Sequence, residues 1–380
     1  MSAGLYIHIP ICRSKCPYCD FYSLRYDKDL IARYLSALNQ RIKSDSNKCQ
    51  TQFDTVYFGG GTPSALGSDT LCDLLKSIKD NLNISKDAEI TVECNPYDAC
   101  RDDFDFALMK AAGFNRISMG MQSANDSERR ILGRLSGALD VEKAVRRAQE
   151  AGITNISLDL MLAVPNQTID SIRQSIKFCA DLNIPHVSAY LLKIEEGTNF
   201  HKRRDSLNLP DEDATCDMDI AACKELESYG YHQYEISNFA KSGFESRHNT
   251  KYWNCEEYLG LGPSAHSFWN GKRFFYERNI ERFISGEPPV FDGHGGSFDE
   301  YIMLRLRLTD GVIFKDVKDK FGFDIPEKMI EKANFLKKCG LMTVDDEHMA
   351  LTTNGFLVSN SVIAELELSE KSKPPVERVV

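Results

Sequence analysis

Apolar residues recur along the first half of the chain with two alternating periods. Short runs of strand type, such as "LYIHI" at 5–9, "DTVYF" at 54–58 and "AEITVEC" at 88–94, each lead into a stretch with helical spacing. Leu30, Ile31, Tyr34, Leu35, Leu38 and Ile42 share one helical face, and Leu71, Leu74, Leu75 and Ile78 share another behind Asp69. "DDFDFALMKAAG" reads as a helix stopped by Gly113. The strand "NRISMGMQS" follows, then helices over roughly 126–133 and 140–151, the strand "NISLDLML", the helix "SIRQSIKFCADLN" and the strand "HVSAYLL". The strands read as apolar on both faces, with Ile156–Met161 as the polar exception. About six β–α units result, short of the eight that close a barrel. Their alternation implies a parallel sheet with right-handed crossovers. The fold class expected is α/β, a partial (β/α)6 open barrel over residues 1–200.

The alternation lapses after residue 200. "DEDATCDMDIAACKELESYG" is helical, "YHQYEIS" is a strand, and 238–271, rich in Gly, Asn and aromatics, reads as irregular. We assign 201–290 to a barrel extension. The boundary near 290 falls at "GEPPVFDGHGG". Beyond it, helical patterns at 298–308, 313–323 and 326–342 and a short hairpin predict a C-terminal, mostly helical, winged-helix-like domain over 291–368. Residues 369–380 read as a polar tail.

Composition narrows the function. The chain has 380 residues, 42% hydrophobic and 27% charged, with a net charge of −10. That balance disfavours a nucleic-acid partner, which needs a basic face. No apolar run is long enough for a membrane span. The N-terminus lacks the basic start and apolar stretch of a signal peptide, so a cytoplasmic location is expected. Twelve cysteines in such a chain read as metal ligands or reactive groups where they cluster, and as small buried hydrophobes elsewhere.

Three of them cluster: Cys12, Cys16 and Cys19, behind the first strand. A structural zinc site wants four ligands, so a zinc reading needs His8 or a remote residue as the fourth, and zinc fingers favour paired C-x2-C units. An iron–sulfur cubane takes one thiolate per iron, and three thiolates leave one iron open to chelate a small molecule. The C-x3-C-x2-C spacing, with Tyr18 before the third cysteine, resembles the signature of the radical S-adenosylmethionine superfamily. The resemblance implies a 4Fe–4S cluster on Cys12, Cys16 and Cys19. Its open iron would take the amino and carboxylate groups of S-adenosylmethionine.

Other motifs fit the same family. "GGGTPS" at 59–64 puts a glycine turn at a strand's end, where α/β folds hold ligands. It resembles the superfamily's motif for the methionine amino group, with Gly60, Gly61 and Thr62 in those places. Glu93, Gln122, Arg134 and Asp159, together with Tyr6, match positions that contact the nucleoside and methionine parts. Read from the residues alone, Asp159 in an apolar strand would instead be held by a salt bridge within the barrel.

The likeness extends to one branch. "LYIHIPICRSKCPYCDF", "VYFGGGTPS", "RISMGMQS" and "LTTNGFLVSNSVI" together resemble the oxygen-independent coproporphyrinogen III oxidase branch, over residues 4 to 366. One kind of member is a dehydrogenase that makes protoporphyrinogen by radical decarboxylation. The other is the HemW type of heme chaperone. The dehydrogenases carry a cysteine where this chain has Phe21, and an arm ahead of the first strand that this sequence lacks. HemW-like chains carry H-N-x-x-Y-W, here His248, Asn249, Tyr252 and Trp253. An imidazole can ligate heme iron and flat aromatics can stack on the macrocycle. The reading from the residues alone is a loop histidine that caps backbone. His266, in "GLGPSAHS", is a second heme candidate, although Pro263 and Ser264 stand where many relatives have a cysteine, and Cys255 is a remote third.

The resemblance therefore implies a heme chaperone that binds a 4Fe–4S cluster, S-adenosylmethionine and heme and passes heme to an acceptor protein. Coproporphyrinogen III decarboxylation is the alternative. If radical chemistry runs, reduced flavodoxin or ferredoxin is the implied electron donor, and cleavage of the sulfonium yields a 5′-deoxyadenosyl radical.

Overall fold

The computed structural model describes residues 2–46 and 51–366; Cys49 and the tail at 369–380 lie outside them. The chain divides into two units. The larger takes in residues 1–233, 237–251 and 256–294, and the smaller 234–236, 252–255 and 295–380.

Six parallel strands form the centre of the larger unit: β1 (Ala3–Ile9), β2 (Phe53–Gly60), β3 (Ile84–Cys94), β4 (Arg116–Gln122), β5 (Asn155–Leu162) and β6 (His186–Leu191). The connecting helices include α1 (Lys28–Ser46), α2 (Ser68–Asn81), α3 (Phe106–Ala112), α4 (Ala138–Glu150) and α5 (Ile169–Asp181). Local chemistry sets their ends. The Asp105 carboxylate accepts from Leu108 N–H at the start of α3, and Gly113, at φ 113°, ends it. Thr168 caps α5 in the same way through Ser171 N–H.

The sheet continues past both ends of this series. The strands β7 (Asn238–Ala240), β8 (Tyr258–Leu261), β9 (His266–Trp269), β10 (Lys272–Phe275) and β11 (Val290–His294) run in the order β11-β10-β9-β8-β1-β2-β3-β4-β5-β6-β7. The open half-barrel expected from the pattern is present, with additions that the pattern did not suggest. Residues 238–271 are not irregular: they supply β7, β8, β9 and the helix α6 (Arg247–Trp253). Strand β8 pairs in parallel with β1, so β1 is an interior strand. These strands span only three or four residues, too few for a periodic signal, and glycine turns at Gly262 and Gly271 break them up.

The strands are also not apolar on both faces. Along each one, an apolar residue that faces the helices alternates with a polar residue that faces inward. The outward series includes Leu5, Ile7 and Ile9, then Val56 and Phe58, Ile90 and Val92, Ile117, Met119 and Met121, and Ile156, Leu158 and Leu160, all essentially buried. Burying each such side chain is worth about 1.5–3 kcal/mol. The inward series is Tyr6 and His8 on β1, Thr55 and Tyr57 on β2, Thr91 and Glu93 on β3, Arg116 and Ser118 on β4, Ser157 and Asp159 on β5, and His186 and Ser188 on β6. Hydrogen bonds join many of these residues: Tyr6 to His8 at 3.0 Å along β1, and, across neighbouring strands, Tyr57 to Glu93 at 2.9 Å, Ser118 to Asp159 at 3.2 Å and Ser157 to His186 at 2.7 Å.

The smaller unit carries helices Phe298–Arg305, Phe314–Phe321 and Glu327–Lys338, then the hairpin Met342–Val344 and His348–Leu351, whose second strand also pairs with Val312–Ile313. Three helices beside a three-stranded sheet form the winged-helix-like arrangement. Among the scattered cysteines, Cys72, Cys94, Cys179 and Cys255 are buried as expected. Cys100, Cys216 and Cys223 are only partly so, and Cys339 is exposed at a helix C-terminus, where no core stands over it.

Three buried histidines, His8 and His186 on the strands and His248 on α6, make stability depend on pH. Burial depresses His8 to about 4 and His248 to about 3, and holds His186 well below its usual value. These imidazoles stay neutral in the fold but charge readily once unfolded. Stability should be complete above the ordinary value of 6.5 and fall as pH drops below it. The loss approaches about 1.4 kcal/mol per pH unit for each histidine until the depressed values are reached. Denaturant midpoints measured between about pH 7 and 4.5 should show this slope, and His248→Gln should flatten it.

Candidate functional site

The cysteine loop sits at the C-terminal ends of the parallel strands, directly after β1. It is pinned on several sides. Residues Ile11–Cys12 pair with Leu24–Arg25. The Arg13 guanidinium meets Asp98 at 2.5 Å, where Asp98 is 3% exposed, and lies 4.8 Å from the Tyr26 ring centre. Cys19 N–H closes a turn on the Cys16 carbonyl, and Phe200 N–H reaches the Pro17 carbonyl. Tyr18 packs against Phe200 and a small cluster with Leu132, Met161 and Val164. Burial raises the Cys12 and Cys19 thiols, and the neighbouring cysteines push the same way.

Next to this loop lies the glycine turn. Thr62 Oγ1 stands 3.3 Å from Cys12 Sγ. Gly60 adopts φ 111°, and its N–H donates to Glu93 at 3.1 Å. Gly61 packs so closely that a Cβ there would meet the Ile11 carbonyl oxygen at 2.7 Å and its nitrogen at 2.8 Å. On the far side, Arg134 donates to Gly120 O at 2.7 Å and approaches Cys16 Sγ at 3.5 Å. Gln122 ends β4 at φ 71°, in the left-handed region that a non-glycine residue occupies only when its surroundings hold it. Arg129, 1% exposed, does the holding: it donates to the Met121 and Ser123 carbonyls on either side and to Ser136.

One cavity of about 500 Å³ gathers most of the residues singled out in the sequence. All three cysteines line it, with Tyr18, Gly60, Gly61, Thr62, Glu93, Gln122, Arg134 and Asp159. Tyr6 is not in the lining; its hydroxyl is bonded to His8. Asp159 makes no ion pair among the described residues. It accepts from Ser118 and Ser188 instead of forming the salt bridge considered above. Burial pushes Glu93 up to about 7 against the pull of the Tyr57 hydroxyl. Asp98, Arg129 and Arg116 were missed in the sequence. Asp98 and Arg129 sit in segments that carry no motif, Arg116 opens the quoted "RISMGMQS" without standing out in it, and only the long-range packing assigns them a task.

The heme candidates fare differently. His248 lies on α6 and not in a loop. It is 1% exposed, bonds Thr55 Oγ1 at 2.8 Å and stacks on Tyr57 at 5.1 Å between ring centres. The Glu89 carboxylate accepts from the Arg247 and His248 N–H groups and so fixes the start of that helix. In this conformation the imidazole is sealed beneath the sheet. Asn249 lines the cavity from below. Tyr252 and Trp253 end the same helix and belong to the smaller unit, where the Trp253 ring lies 5.8 Å from the Arg307 guanidinium. His266 is exposed on β9 and stacks on Phe275 at 5.2 Å. Cys255 is buried.

The donor set suits a cluster better than zinc. Among the described residues, no three His, Cys, Asp or Glu side chains converge as a single ion requires. A cubane spreads its thiolates over separate irons. The Nε atoms of Arg134 and Arg116 are buried without hydrogen-bond partners, and both residues line the cavity, so the space between them suits a polar occupant.

A three-thiol loop over a glycine turn, at the C-terminal edge of an open parallel half-barrel, defines the radical S-adenosylmethionine class. Residues 6–179 match the Radical SAM superfamily and 299–358 the HemN C-terminal domain. The solved coproporphyrinogen III oxidase (HemN) from Escherichia coli, a radical SAM enzyme, aligns with a TM-score of 0.82 at 23% identity. It covers 96% of this chain and 90% of that one. Heme chaperone HemW of Bacillus subtilis (strain 168) is 35% identical over 369 residues, 94% of this chain and 97% of that protein. Heme chaperone HemW of Escherichia coli (strain K12) is 33% identical over 386 residues, 97% and 98%. The chain belongs to the HemW heme-chaperone family of radical SAM proteins. Among the described residues, no helix is long and apolar enough to cross a membrane.

The tight fit at Gly61 is testable. Gly61→Ala must push against the backbone that carries Cys12, and should cost about 1–3 kcal/mol. Denaturant titration of the two proteins would measure this.

Proposed function

We propose that this protein is a heme carrier of the HemW type, which holds a 4Fe–4S cluster, binds S-adenosylmethionine beside it, and passes heme to an acceptor protein. The observation that carries the reading is the single cavity shared by Cys12, Cys16 and Cys19, the glycine turn, and Glu93, Gln122, Arg134 and Asp159. Cys12, Cys16 and Cys19 hold the cluster. When bound, it supplies an open iron site and a one-electron reductant for the sulfonium, fed by reduced flavodoxin or ferredoxin.

The chain's own groups do the rest. The Gly60–Thr62 turn brings backbone close to the ammonium end of the ligand. Glu93 and Asp159 offer acceptors to its hydroxyl and ammonium donors. Arg134 places a guanidinium donor against Cys16 Sγ. Phe21, 68% exposed at the mouth, offers an apolar face to a flat macrocycle. For the axial nitrogen we take His266, because its ring is open to solvent while that of His248 is enclosed.

Anaerobic reconstitution with iron and sulfide should load about four irons per chain, and Cys16→Ala should abolish that loading. Heme titration should give a Soret band that His266→Ala weakens. His248→Ala should chiefly lower the melting temperature. A Soret band lost only in a well-folded His248→Ala protein returns the ligand role to His248. Protoporphyrinogen formed from coproporphyrinogen III, with reductant and S-adenosylmethionine, would replace the carrier reading with the oxidase one.

A further inference from the structure

The cysteine loop has a second side. Cys12 lines the cavity described above, and it also lines a second depression of about 410 Å³. Arg13, Lys15, Leu24 and Arg25 line that depression, and no acidic residue does. Its walls are firmly held. Arg25 is level with Cys12 where Ile11–Cys12 pairs with Leu24–Arg25, and Tyr26 N–H donates to the Cys12 carbonyl at 3.0 Å. Lys15 Nζ donates to the Phe21 carbonyl at 3.2 Å. Gly60, Glu93, Gln122, Arg134 and Asp159 take no part in it, so a ligand held by those residues leaves this side of the loop open.

Charge sets this face apart. The chain carries −10 overall, yet Lys15 and Arg25 are exposed and, among the described residues, neither makes an ion pair. Exposed cations elsewhere are often matched, as Arg33 is by Glu281, Lys76 by Asp80 and Lys177 by Asp181. Acids close to the loop are engaged: Arg13 takes Asp98, Arg278 takes Asp20, and Asp27 accepts from Leu30 N–H. Apolar side chains stand beside the cations. Phe21 is exposed on the loop itself, and Tyr97 and Leu135, both exposed, flank a small hollow shared by Arg13 and Cys16. Apolar contacts bordered by unmatched charge of one sign suit a brief encounter between proteins. A net negative surface repels an acidic partner, so a local cationic face decides where such a partner lands.

We propose that the outer face of the cysteine loop, around Lys15 and Arg25, docks an acidic protein that carries a low-potential one-electron centre. The proposal rests on the reading that Cys12, Cys16 and Cys19 hold a 4Fe–4S cluster. One electron leaves the docked carrier and one enters the cluster, with no atom transferred. The two approaches are divided. The carrier meets Cys12 from the cationic side, while S-adenosylmethionine occupies the cavity lined by Glu93 and Asp159. Both can then be present together.

The test uses flavodoxin as the probe. Fluorescence anisotropy of dye-labelled, oxidised flavodoxin measures its binding to reconstituted wild type, to Lys15→Glu combined with Arg25→Glu, and to Lys86→Glu. Lys86 is exposed near the opposite end of β3 and matches one charge reversal at a remote place. Iron per chain is measured for each sample. Wild-type affinity should fall as salt rises from about 0.02 to 0.3 M. At low salt the double variant should bind at least about tenfold more weakly, and Lys86→Glu should stay within about twofold of wild type. Lys15→Gln combined with Arg25→Gln should fall between wild type and the double reversal, and it decides the matter if the reversal loads no iron. Reduction of the cluster by reduced flavodoxin, followed by bleaching of its visible absorbance, should slow in the same order. Reduced methyl viologen, a small cation, should not be slowed by either double variant. Unchanged flavodoxin binding in the double variants, an equal loss in Lys86→Glu, or equal slowing with methyl viologen overturns the proposal. A wild-type protein that loads no cluster overturns the site reading instead, and the anisotropy arm then still decides whether flavodoxin docks on this face.

Discussion

A parallel strand enclosed on both sides has to match each side to a different neighbour. Here the helices demand apolar residues on one face, and the cavity demands polar ones on the other. Each polar residue then has to find a partner, because an unmet donor or acceptor in such a place costs about 1–3 kcal/mol. The cross-strand bonds of Tyr57 with Glu93, Ser118 with Asp159 and Ser157 with His186 meet that demand. The cysteine loop, the glycine turn and the ligand-facing carboxylates are all built on this polar wall.

The wall also explains which parts of the molecule were open to inference from residue order. The three cysteines are local, within eight positions, and their spacing survives any folding. The glycine turn is equally local, and so is the alternation of strand and helix that gave the half-barrel. The inward polar row is visible in hindsight as polar residues at every second strand position, but Tyr, Thr and Ser are mild enough to blur the period. The tasks of Arg129, Asp98 and Arg116 were beyond reach, because each is defined by partners that the chain brings in from a distance. Arg13 and Asp98, for example, are 85 positions apart.

His248 shows how residue order can mislead about local structure. A histidine beside two aromatics in a Gly- and Asn-rich stretch suggests a ligand-binding loop. The structure instead gives it a helix, a hydroxyl partner and a stacked tyrosine. Gly4 leaves the room: a Cβ there would lie 3.1 Å from Thr55 Oγ1 and 3.2 Å from the His248 ring. The reading from the residues alone is a loop histidine that caps backbone; the imidazole sits on a helix and meets the Thr55 hydroxyl.

The register of β8 beside β1 bears on how the protein is made. Gly4 pairs with Tyr258, so the strand that leads into the cysteines waits for a neighbour encoded some two-thirds of the way along the message. On the ribosome, that strand therefore remains a one-sided edge while most of the chain is synthesised. Pairing across such a separation is slow. A metal cluster delivered to the nascent chain would meet a half-built socket, and delivery after release would meet a finished one.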